Sequence, residues 1–190
     1  MHSFISPSGT PNETHPALRK LQHLGHLMRA LSAGYAIWVL WSILNWWTDT
    51  ERVLKNYGNY VGRDLGAAAD WQRLAPLGLD LATWFLLLVA VVHCWKFLRQ
   101  ISQPLAAFNL ASFHLSRCAW YAIGCQALSI AIRPLQSYLL TLHLAVGEQV
   151  WKWAFRPNDL LTAMFCIALL MFAYVFSWTM EMAEENRSFV

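Results

Sequence analysis

PLGLDLATWFLLLVAVVHCW, residues 76–95, is twenty residues long and carries one carboxylate, Asp80, and no basic side chain. At ~1.5 Å of rise per residue, about twenty helical residues cross a ~30 Å hydrocarbon layer. Three further stretches read the same way: 28–47, 118–133 and 159–179. The expected fold class is therefore all-α, a four-span transmembrane helical bundle with short interfacial helices. Composition agrees. The chain is 57% hydrophobic and 13% charged over 190 residues, against ~45–50% and ~25% in ordinary soluble domains. One bundle of four spans leaves room for no second domain, so residues 16–190 are read as one membrane domain behind a tail at 1–15. A net charge of +3 is too small to argue for direct nucleic-acid binding.

The segments between the spans are read as follows. Residues 1–27 hold Pro7, Gly9, Pro11, Glu13 and Pro16 and no apolar core, so span one, and not a signal peptide, is expected to target the chain. Residues 17–28 have the spacing of an amphipathic surface helix leading into span one. Tyr57-Gly58-Asn59 reads as a turn between short helices. Pro104 is placed to open a short helix. Arg133-Pro134 breaks span three, and 135–146 keep helical spacing as an interfacial helix or a kinked extension. Trp46, Trp47, Trp71, Trp151 and Trp153 suit the outer interface, and Trp95 and Trp178 the inner one.

Basic residues near the span ends set the orientation. With both termini inside, Arg19, Lys20, Arg29, Lys96, Arg99, Arg117 and Arg187 are cytoplasmic. Arg52, Lys55, Arg63, Arg73, Lys152 and Arg156 are then outside. The acid-free loop 96–117 favours termini inside.

Three constellations carry possible chemistry. The first is a polar layer in the outer halves of the spans: Ser42 and Asn45, Asp80 and Thr83, Gln126, Ser129 and Arg133, Asp159 and Thr162. Asp80 lies ~6 Å below the outer end of span two, and Arg133 lies ~24 Å above Arg117, so the two match in depth. An unpaired charge inside a membrane is costly, so Asp80 and Arg133 are expected to pair. The layer reads as interhelical hydrogen bonding or as an outward-facing pocket for a small ligand or ion.

The second constellation gathers His26, His93, His114 and Cys118 at the inner ends, donors suited to copper, zinc or haem. The loose spacing favours interfacial histidines without a metal, and no cofactor is assigned. Cys94, Cys118, Cys125 and Cys166 read as small apolar filler. The third is the acidic end Glu181, Glu184 and Glu185, a solvated helix end or a docking face for a basic partner. No phosphate-binding loop, HExxH or GxSxG is present.

The second half also carries a resemblance. Leu105-Ala-Ala-Phe-Asn109-Leu110-Ala-Ser-Phe113 before span three, and Met182-Ala183-Glu184-Glu185-Asn186 with Phe189-Val190 at the end, resemble domain-of-unknown-function family 2975. These are small four-pass bacterial inner-membrane proteins. The resemblance covers about 96–190. Gln103 and Thr179 stand where that family's pattern has glycines. It implies a bacterial inner membrane, cytoplasmic termini, no known enzymatic role, and a helix-turn-helix regulator as partner, with Asn109 and the acidic tail as its docking face. The expectation is a non-enzymatic sensor or interaction protein in the lipid bilayer. A haem- or metal-binding redox protein and a toxin-immunity protein are the alternatives. Four spans without an internal repeat offer little for alternating access unless copies form a homo-oligomer.

Overall fold

The computed structural model describes residues 16–101 and 108–188, and the tail 1–15 and Pro104 lie outside them. Among the described residues there are five helices and no strand: α1 (Pro16–Thr48), α2 (Thr50–Val61), α3 (Asp70–Ile101), α4 (Phe108–Thr141) and α5 (Pro157–Ser188). Three carry segments long and apolar enough to cross a membrane, Gln22–Thr48, Asp70–Ile101 and Pro157–Met182. At 32–34 residues each, the four long helices reach ~50 Å.

Packing follows the order α1–α3–α4–α5, with α3·α4 the most extensive contact. No contact of comparable extent joins α1 to α5. The lipid-soluble faces of α1 and α5 leave Trp38, Trp41, Phe165, Phe172 and Trp178 exposed. A water-soluble protein could not carry so large an apolar band, whereas hydrocarbon is as good a solvent for these rings as a protein interior.

The tightest packing lies at one end. Val53 of α2, Leu65 of the following turn, Gln72 and Pro76 of α3, and Pro134, Ser137, Leu140 and Thr141 of α4 are all fully buried. Local chemistry builds this end. Asp49 caps α2 by accepting from the Arg52 N–H at 3.1 Å. Gln72 accepts from the Ala69 N–H at 2.9 Å, as in a capping box, and donates to the Leu139 carbonyl at 3.1 Å. One side chain thus starts α3 and ties it to the end of α4.

Residues 17–28 are helical, as expected, and run into the span without a break as the first turns of α1. Several local expectations are corrected. The turn expected at Gly58 falls instead at Gly62, whose φ of +74° ends α2. Gly58 lies inside α2, where a Cβ would sit 2.8 Å from the Arg63 carbonyl oxygen. Its role is close approach. Gly58→Ala is expected to cost about 1–3 kcal/mol through forced backbone displacement, read as a lower midpoint in detergent unfolding.

Arg133-Pro134 does not break α4, which continues to Thr141. Pro134 is fully buried in the tight end, where neighbouring groups sustain the helix. Beyond Thr141 the helix does stop. Gly147 (φ +99°) turns the chain, and the N–H groups of Val150 and Lys152 donate to the hydroxyls of Thr141 (3.0 Å) and Ser137 (3.1 Å). The returning segment exposes Trp151, Trp153 and Phe155 in contact, with ring centroids 6.4 and 6.2 Å apart. Such a row suits a membrane interface.

Candidate functional site

Three tryptophan indoles fasten α1 to antiparallel α3. Trp47 donates to Asp80 at 2.7 Å, Trp84 to the Ala36 carbonyl at 2.9 Å, and Trp95 to the Ser32 hydroxyl at 2.8 Å. Trp47 and Trp95, expected as interface anchors, are thus half-buried interhelical donors. An indole N–H has only its donor role, and away from water it needs an acceptor.

The expected Asp80–Arg133 pair does not form. Arg133 grips Asp159 with two parallel hydrogen bonds, Nη2 to Oδ1 at 2.7 Å and Nη1 to Oδ2, while Nη1 also donates to the Ala154 carbonyl at 2.8 Å. Asp159 in turn accepts from the Arg156 N–H at 2.8 Å and so caps α5. Gln126 reinforces the joint by donating to the Asp159 carbonyl at 3.2 Å. The fork geometry of a guanidinium on a carboxylate favours this partner over one matched only in depth.

Asp80 instead has neutral donors. Its Oδ2 accepts from Trp47 and its Oδ1 from Gln136 Nε2 at 2.8 Å. The Gln136 Oε1 accepts from the Tyr57 hydroxyl at 2.8 Å, and Tyr57 stacks on Trp47 with centroids 6.2 Å apart. Four helices therefore meet in one network. Burial, and then the nearby Asp80 carboxylate, push the Tyr57 hydroxyl well above the ordinary tyrosine range, so it stays a donor.

Both networks face one open cavity of about 910 Å³. Asp80, Thr83, Gln126, Ser129, Arg133 and Thr162 line it, as does Ser42. Asn45 and Asp159 do not: Asn45 is exposed, and Asp159 is buried behind Arg133. Tyr35, Trp46, Tyr57, Tyr60 and Trp84 add an aromatic wall, and Leu87, Ala90 and Ala122 an apolar one. Gln136, Tyr57 and Arg156 also line the cavity and were not among the expected site residues. A buried-depth glutamine two turns beyond Ser129 was the available signal.

At the other end of the bundle, His93 Nδ1 lies 3.1 Å from His114 Nδ1, and His93 stacks on Tyr121 at 5.5 Å. Cys118 is buried on the same helix as His114, and His26 is exposed on α1. Among the described residues no group of three or more His, Cys, Asp or Glu side chains is placed to hold a metal ion. All four cysteines are free. Glu181 and Glu185 are exposed on the last turns of α5, while the side chains of Asn109 and Glu184 lie outside the described set. The chain matches no protein-family model, no curated protein and no solved structure.

Proposed function

We propose that this chain is a non-enzymatic, four-span membrane protein that senses a small molecule held in the cavity between its helices. The observation that carries this reading is the cavity itself, which gathers polar side chains of α1, α3, α4 and α5 around about 910 Å³ of open space. That volume is in the range of small-molecule sites, and its apolar walls with few polar groups match their usual make-up.

The fourth span is α4. It packs between α3 and α5, both apolar enough to cross. From Cys118 to Thr141 its exposed residues are Trp120, Ala127 and Ala131, while Gln126, Ser129 and Arg133 turn toward the protein. Its fully exposed positions in this stretch are thus all apolar, as a bilayer requires. We place the protein in a bacterial inner membrane with both termini cytoplasmic. The acid-free 96–117 segment and the resemblance to domain-of-unknown-function family 2975 support this. The same resemblance makes a helix-turn-helix regulator the partner to seek at Glu181 and Glu185.

The test uses the whole protein in detergent and a neutral, polarity-sensitive naphthalene ketone dye. The wild type is expected to give saturable, blue-shifted emission. Ser129→Trp places an indole in the cavity wall and is expected to weaken this binding at least about tenfold. Equal saturable binding by both proteins, or none by the wild type, would sink the proposal.

A further inference from the structure

We infer that the cavity selects a lipophilic organic cation, with Asp80 as its counter-charge; this rests on the ligand-binding reading above. None of the ion pairs Arg63–Glu148, Arg73–Asp70 and Arg133–Asp159 includes Asp80. Its two hydrogen-bond donors, Trp47 and Gln136, are both neutral. They orient the carboxylate on the cavity wall and leave its charge uncompensated. Away from water such a carboxylate gains most from a bound cation.

The surroundings sharpen the class. Trp84 lies one turn along α3 from Asp80 and donates to the Ala36 carbonyl, and its ring and that of Tyr35 line the same cavity as the carboxylate. Nearer the rim, Trp46 and Tyr60 already hold cations: Arg52 lies 5.9 Å and Lys152 4.3 Å from their ring centroids. Aromatic faces with a carboxylate are the chemistry that receives ammonium and phosphonium groups. Arg133 is neutralised by Asp159. Arg156, exposed at the rim, is the competing positive charge. Entry is lateral. α1 and α5 supply opposite walls, and no extensive contact closes the gap between them. A membrane-soluble ligand reaches the site without crossing the tightly packed end.

The test pairs two ions of matched shape and opposite sign, tetraphenylphosphonium and tetraphenylborate. Their binding to the full chain in phosphatidylcholine nanodiscs is measured by equilibrium dialysis, with empty discs subtracted. The cation is expected to bind saturably and at least about tenfold tighter than the anion. Asp80→Asn should weaken the cation at least about tenfold. Thr83→Lys, which tethers an ammonium three residues from Asp80 on the same helix, should do the same, and it decides the matter if Asp80→Asn does not fold. Preference for the anion, or cation binding unchanged in the folded variants, overturns the inference. If wild type binds the neutral dye but neither ion, the cation inference fails and the cavity reading stands. If it binds none of the three, both fail.

Discussion

Arg133→Met is expected to lower the stability of the bundle by about 3–5 kcal/mol, because it leaves the Asp159 carboxylate buried without its partner. The Asp159 and Arg133 side chains are only 9% and 19% exposed. The Ala154 carbonyl loses its donor in the same step. Asp159 also caps α5 and anchors Gln126 through its carbonyl, so the damage should concentrate at the α4–α5 joint. The measurement is unfolding in mixed micelles at rising sodium dodecyl sulfate, followed by helical circular dichroism. The double variant Arg133→Met with Asp159→Leu should recover most of the loss, since an apolar pair replaces a buried ion pair at little net cost. It should still fall short of wild type by about 1 kcal/mol, the usual worth of a cap. An unchanged midpoint for Arg133→Met would show that the ion pair does not hold the joint.

That pair also marks how far sequence reasoning reaches. Apolar runs near twenty residues are legible because hydrocarbon accepts little else, and α1, α3 and α5 carry them. Polar residues inside such runs are legible as a set for the same reason, and seven of them line the cavity. Their partners are not legible. Depth along a helix follows from residue count, but azimuth and neighbour do not. Asp80 and Arg133 match in depth, yet Asp159 offers a bidentate partner at the start of α5. An indole's preference for interfaces points Trp47 to the surface, and the fold gives more weight to its N–H. Proline's intrinsic helix-breaking tendency predicts a break at Pro134, which tertiary packing overrides. The cavity itself depends on how the helices splay, a property that no local pattern encodes.

Gln136→Leu should be comparably damaging, and for a different reason. Gln136 joins two other members of the network and the α3 backbone: it donates to Asp80 at 2.8 Å and toward the Pro76 carbonyl at 3.4 Å, and accepts from Tyr57 at 2.8 Å. It is 4% exposed, so water does not replace it. Leucine of similar size keeps the packing but strands the Tyr57 hydroxyl and half of the Asp80 carboxylate. Each stranded polar group costs about 1–3 kcal/mol, so the expected loss is about 2–5 kcal/mol. A double-mutant cycle isolates the cause. Tyr57→Phe alone removes one donor and leaves the Gln136 oxygen unpaired, for about 1–3 kcal/mol. In the Gln136→Leu background the same change removes an already stranded hydroxyl and should cost nothing or stabilise. Purely additive losses would mean that Tyr57 and Gln136 do not act through one another. Strong coupling would identify this hydrogen bond as the fastening between α2 and α4, and hence as what holds the rim of the cavity in place.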